Sequence, residues 1–312
     1  MSILSELNEK HPVRNSEAQK EGFRKYVIEK AMEKGMTARV EQTADGKNRN
    51  VIIGDPESAR VVYTAHYDTP WCSPFPNLML PRSKALYFAF QFIPIIIMLA
   101  VALALGKMAE AFVGLGTYEG LLAWYFTFII VYYLIFFLMY RTFVNKKNHN
   151  DNTSGVAVIL SMIEKGSPES LGGAAFILFD NEEKGKKGSK AYFRDHKADM
   201  EKKFLLNFDC VGNGENIVFV AMKDAENMAE YAALKESFVS SGEFNVEFYP
   251  IKGSESNSDY KNFPCGVGCM ACKKSKNGIL YTPRIHTARD TVAHDENIDF
   301  ISSASVAFTE KL

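Results

Sequence analysis

Residues 60–69 read RVVYTAHYDT. From Val61 to Ala65 the run is almost continuously apolar, as in a central strand covered on both faces rather than one that alternates between core and water. It ends in His66-Tyr67-Asp68-Thr69. In open α/β sheets, ligands bind beyond the carboxyl ends of the strands. The segment therefore predicts a buried strand with chemistry at its C-terminal end.

Working outward, residues 15–35 read as a helix, with Phe23, Val27, Ile28 and Met32 at helical spacing and Gly35 after them. Strands are expected at 37–43 and 49–53, around a DGKN turn. Downstream, 152–165 reads as a helix closed by Gly166, and 174–180, 203–210 and 217–222 read as strands. Residues 224–240 and 300–311 read as helices. Strands alternating with helices argue for an α/β fold, a mostly parallel sheet with helices on both faces.

The chain has 312 residues and a net charge of -1, from 36 Lys+Arg against 37 Asp+Glu. Nothing in that balance marks a nucleic-acid surface, and no nucleic-acid partner is expected. Hydrophobic content of 47% excludes a disordered chain. The mean hydropathy of -0.12 suggests an ordinary soluble protein, but the apolar residues are unevenly spread. Residues 85–105 (ALYFAFQFIPIIIMLAVALAL) and 120–140 (GLLAWYFTFIIVYYLIFFLMY) are two uncharged runs. As helices each spans ~31 Å, about the thickness of a bilayer core.

Residues 85–140 therefore read as a two-helix transmembrane hairpin inserted into a discontinuous catalytic domain, 1–84 and 141–312. Arg82, Lys84, Arg141, Lys146 and Lys147 flank the hairpin, whereas Lys107 is the lone cation between the helices. That asymmetry places the flanks in the cytoplasm. Residues 1–19 contain no apolar core of a signal peptide. The expectation is a two-pass cell-membrane protein with a cytoplasmic catalytic domain and the lipid bilayer as a partner. Five cysteines, at 72, 210, 265, 269 and 272, fit a reducing compartment. Cys265, Cys269 and Cys272 lie in the apolar run FPCGVGCMAC, which favours a buried strand over a zinc site.

Ligand-type side chains recur at the predicted strand ends. His66 and Asp68 follow the first strand, Glu182 and Glu183 the second, and Asp209 closes 203–210. Asp151 precedes a predicted helix, and His286 lies in a later loop. Each is weak evidence alone: an Asp before a helix is usually a cap, and paired Glu residues are usually solvated. Together, two imidazoles and several carboxylates on one sheet edge suit a pair of divalent, zinc-like ions. Asp68 could orient His66 rather than bind metal. Of the adjacent Glu182 and Glu183, one can bind a metal while the other faces the substrate as a base.

The set resembles the M28 family of metallopeptidases, the co-catalytic zinc aminopeptidases and their relatives. HYDT at 66–69 is similar to the family's H-x-D motif and DNTSG at 151–155 to D-N-x-S-G. EEKGKKGS at 182–189 is similar to E-E-x-G-x-x-G-S, and HTARDT at 286–291 to H-T-x-x-D-T. Asp209 matches the strand-end Asp, and SDYKNF at 258–263 is similar to S-D-[HY]-x-x-F. The resemblance implies a three-layer α/β/α zinc-exopeptidase-like domain with a mixed sheet, and two divalent ions, Zn2+. It makes Asp151 the bridge, with His66 and Asp209 completing one site and Glu183 and His286 the other. Asp68 would orient His66, Glu182 would be the general base, and the peptide after Asp151 would be cis.

Where some family aminopeptidases carry a Tyr just before the final His, this chain has Ile285. That leaves Tyr260 and Tyr281 as candidate hydroxyl donors to the oxyanion, and Arg284 as a candidate for a substrate carboxylate. The leading expectation is a membrane-associated aminopeptidase acting on a peptide or amide, an apolar one if the hairpin brings the site to the membrane. Alternatives are an N-acyl amino acid hydrolase, a glutaminyl cyclase on the same fold, or a non-catalytic membrane receptor or scaffold. The full five-ligand set favours a two-metal hydrolase over a cyclase, and intact Glu182 argues against a scaffold. A homo-oligomer formed through the hairpin is left open.

Overall fold

Every residue from Val61 to His66 is buried, as a continuous apolar run requires of a strand covered on both faces. In the computed structural model, which describes residues 1–312 apart from 74–77, 142, 168 and 255, this strand lies near the centre of a mixed sheet. The chain begins with α1 (Ile3–Lys10), α2 (Glu17–Glu33), β1 (Ala38–Gln42), β2 (Arg49–Ile53) and β3 (Val61–His66). Then come α3 (Lys84–Val113), α4 (Tyr118–Arg141), α5 (Gly155–Lys165), β4 (Ala174–Phe179), α6 (Lys187–Asp195) and α7 (Lys197–Met200). The remainder is β5 (Phe204–Phe208), β6 (Asn216–Ala221), α8 (Ala229–Ser237), β7 (Asn245–Pro250), β8 (Gly266–Lys274), β9 (Leu280–Tyr281) and α9 (Asp295–Glu310).

Among the described residues, eight strands are ordered β1-β2-β4-β3-β5-β8-β6-β7, with β9 paired to β8. The centre is parallel: β4, β3, β5 and β8 run the same way. Antiparallel pairs lie outside it, at β1/β2, β2/β4 and β6/β8. Alternate side chains enter two cores. Val61, Tyr63 and Ala65 join the core formed with α1, α2, α5, α8 and α9. Val62 joins the opposite core, with Tyr192 of α6 and Met200 of α7. The protein is thus a three-layer α/β/α fold.

Local chemistry explains most boundaries. Ser16 caps α2 in a reciprocal capping box with Gln19. The buried stripe of α2 is Lys20, Phe23, Arg24, Val27 and Ala31. Met32, expected inside, is 62% exposed, because the inward face turns to Ala31. α5 starts at Gly155 rather than at 152, since residues 149–154 form a tight turn with non-helical backbone at Asp151 and Asn152. The cysteines at 269 and 272 lie buried within β8, as expected.

The two apolar runs form α3 and α4, long and apolar enough to cross a membrane. The apolar 18-residue windows within Lys84–Val113 and Tyr118–Leu138 have mean hydropathies of 2.6 and 2.2. On α3 the buried residues are Met98, Ala102, Gly106 and Glu110, a stripe four residues apart that packs on α4. A Cβ on Gly106 would lie 2.8 Å from Trp124 Cδ1, so the helices meet closely through a small residue. The outer faces expose Leu86, Phe88, Phe92, Ile96 and Phe126, among others.

Candidate metal centre

Three strand ends and two loops bring the predicted ligands together. His66 ends β3, Asp209 follows β5, and Glu183 lies beyond β4. Asp151 sits in the turn before α5 and shares its two oxygens between two imidazoles. His66 Nε2 lies 3.3 Å from Asp151 Oδ1 and 3.7 Å from Asp209 Oδ1. His286 Nε2 lies 2.9 Å from Asp151 Oδ2 and 3.3 Å from Glu183 Oε2. Donor atoms of His66, Asp151 and Glu183 all lie within 4.8 Å of one another, as do those of Asp151, Asp209 and Cys210. Glu183 Oε1 is buried with no hydrogen-bond partner among the described residues. Converging nitrogen and oxygen donors with an orphaned buried carboxylate oxygen fit divalent cations.

The charges tell the same story. Burial pushes the Glu183 carboxyl up to about 8 and Glu182 well above the usual carboxylate range. Burial alone would depress His286, but Glu183 and Asp151 outweigh it and hold it at about 10. Burial likewise opposes the charged form of His66, and Asp151, Asp209 and Asp68 reverse the sign. Without a cation the cluster retains protons, and a cation can replace them. Cys210 is different: burial and adjacent carboxylates keep its thiol protonated, and a thiol is a poor ligand compared with a thiolate.

Hydrogen bonds hold several of these side chains and the loops that carry them. His66 Nδ1 faces the Asp68 carbonyl at 3.1 Å and Asp68 Oδ1 at 3.6 Å. Asp68 also accepts from the backbone N–H groups of Glu182 at 2.9 Å and Glu183 at 3.2 Å, joining the first and second loops. The DNTSG turn is interlocked with the chain after Asp209. The N–H groups of Cys210, Val211 and Gly212 donate to the side chains of Asn152, Ser154 and Asn150. A Cβ on Gly155 would lie 2.5 Å from the Phe208 carbonyl oxygen, so this motif must end in glycine. The Asp151–Asn152 peptide is cis. Gly188 of EEKGKKGS is equally constrained, since its Cβ would meet the Asp180 oxygen at 2.1 Å. Among the described residues, positive-φ non-glycines include Asn181, Lys186, Cys210 and His286, all at this site, where strained backbone tends to collect.

Three supporting residues were not expected from sequence. Asp290 accepts from the N–H groups of Asn150 at 3.0 Å and Asp151 at 2.9 Å; its signal was its place in HTARDT. Arg14, fully buried, donates to the Tyr67 and His11 carbonyls and to Thr153 Oγ1. Lys20 donates to Asp180 at 2.5 Å and Asn181 at 2.8 Å, just ahead of Glu182. No local pattern marks either cation, because their partners lie far along the chain.

A cavity of about 220 Å³ opens over the cluster, lined by His66, Asp151, Glu182, Glu183, Asp209 and His286. Met79, Tyr87, Gly185, Lys186, Asn257 and Ile285 complete its wall. The structure departs from sequence expectation for three residues, none of which lines this cavity. Tyr260 is wholly buried, with its hydroxyl donating to the Ser256 carbonyl at 3.0 Å. Tyr281 is held in β9 against β8. Arg284 is exposed and has a left-handed backbone.

An α/β/α sheet with such a cluster at its carboxyl edge defines the zinc-exopeptidase-like class of fold. Within that class the chain belongs to peptidase family M28, whose sequence profile matches residues 143–308. No curated protein matches the chain. Among solved structures it is similar to the LapA aminopeptidase of Legionella pneumophila, at 13% identity and TM-score 0.55 over 98% of this chain and 69% of that one. It is also similar to a Porphyromonas gingivalis glutaminyl cyclase, at 14% identity and TM-score 0.57 over 99% and 96%. A leucine aminopeptidase precursor from Bacteroides thetaiotaomicron aligns at 15% identity and TM-score 0.54 over 99% and 95%. The family match supports a peptidase or related enzyme.

Proposed function

We propose that the protein is a membrane-associated aminopeptidase that hydrolyses peptide or amide bonds with two Zn2+ ions. The observation that carries this reading is the division of Asp151: one oxygen faces His66, the other His286. On it, His66 and Asp209 would hold one ion and Glu183 and His286 the other, with Asp151 shared between them. A full set of five ligand positions favours a two-metal hydrolase over a cyclase. When bound, such ions lower the pKa of a water and polarise the scissile carbonyl. Glu182 lines the cavity and is raised by burial. It takes a proton from the attacking water and returns it to the leaving nitrogen. Asp68 orients His66 and fixes the Glu182 backbone. Residues 1–84 and 141–312 form the catalytic domain, anchored on the cytoplasmic face by 85–140.

Turnover of aminoacyl amides and N-acyl amides by the detergent-purified chain tests the reading. Glu182→Gln should keep its metal and lose ~10²–10⁴-fold in kcat. Full activity in this variant contradicts it.

A further inference from the structure

The first apolar helix begins at the metal centre. Met79 is fixed by its carbonyl, which accepts from Thr282 N–H at 2.9 Å. Leu80 is buried, and the Arg82 guanidinium stacks 4.0 Å over the Tyr249 ring, pinning the chain as it turns into α3. On the first turn of α3, Leu86 and Phe88 point outward at 43% and 44% exposure, whereas Tyr87 is half-buried and lines the cavity. Tyr87 stands on the inward face that continues, about every four residues, to Met98, Ala102 and Gly106. The return chain is tied to the same place: Cys72 N–H donates to the Phe143 carbonyl, and Ser73 N–H to the carbonyl of His286 itself. Ile285, the residue before His286, lines the same cavity as Met79 and Tyr87.

We infer that Met79, Tyr87 and Ile285 form an apolar subsite for the side chain or acyl group next to the scissile amide. The membrane-type helix thereby selects substrate as well as anchoring the enzyme. This rests on the hydrolase reading above. Among the described residues the remaining wall is metal ligands, Glu182, Gly185, Lys186 and Asn257, so Met79, Tyr87 and Ile285 supply its large apolar surface. A pocket of this kind discriminates by how much apolar surface the substrate fills. Its position at the foot of α3 favours substrates presented at the bilayer surface.

The test compares leucyl and seryl amides as substrates of the full chain in detergent, for wild type, Tyr87→Ala, Tyr87→Phe and Leu103→Ala, with metal content measured in each. Tyr87→Ala should lower the leucyl-over-seryl preference roughly tenfold, mainly through KM. Tyr87→Phe should keep that preference, as should Leu103→Ala on the exposed face of the same helix. An equal effect of Tyr87→Ala on both substrates overturns the subsite, and so does no effect. Loss of kcat in Tyr87→Phe also overturns it, because the hydroxyl would then be acting rather than the ring. If wild type hydrolyses neither amide while holding metal, the hydrolase reading itself fails.

Discussion

At the scale of single residues, the centre is a set of charges that cannot coexist in water-poor surroundings without a cation or extra protons. Glu183 keeps its proton up to about 8 and His286 up to about 10, both raised from their ordinary values. A group raised on folding stabilises the fold at low pH, and that contribution is lost as pH rises through the folded value. Metal-stripped protein should therefore melt at progressively lower temperature from about pH 6 to about pH 9. Metal-loaded protein should show a flatter profile, and metal uptake should release protons. Thermal unfolding with and without a chelator checks this; a flat metal-free profile contradicts it. The residues carrying these charges were legible in sequence, because His66, Glu183 and Asp209 fall at the ends of apolar strands. Asp290, Arg14 and Lys20 were less so. Their work is done on backbone groups and on side chains as much as 161 positions away.

At the scale of elements, α2 fixes the loop that follows β4. Lys20 and Asp180 form an ion pair with both side chains under 5% exposed. Removing one partner of such a pair leaves a buried uncompensated charge. Lys20→Met should cost about 3–5 kcal/mol by chemical denaturation and weaken metal retention, because Asn181 and Glu182 follow Asp180 directly. A loss within experimental error contradicts this. Strands β2 to β6 were readable because each is a short apolar run. β7 was not, since it is half exposed and alternates poorly. α6 was also missed, as its sequence KGSKAYFRD begins inside a glycine-rich motif and is weakly apolar.

At the scale of the whole molecule, the near-neutral charge and mean hydropathy of -0.12 average two unlike parts. A charged α/β/α domain carries an apolar helix pair between β3 and α5, and sequence continuity ties both ends of that pair to the loops that carry the proposed metal ligands. The excess of Lys and Arg at the foot of the pair predicts that its tip lies across the membrane from the catalytic domain. In sealed vesicles, a Leu115→Cys variant should react with an impermeant thiol reagent only from the face opposite that domain; labelling from the same face contradicts this topology. The central claim is a two-ion centre built by His66, Asp151, Glu183, Asp209 and His286. Elemental analysis of the purified full chain tests it most directly. The account predicts two divalent ions per chain, with both sites weakened together in Asp151→Asn. A chain that binds no divalent ion, or an Asp151→Asn variant that retains both, would contradict it.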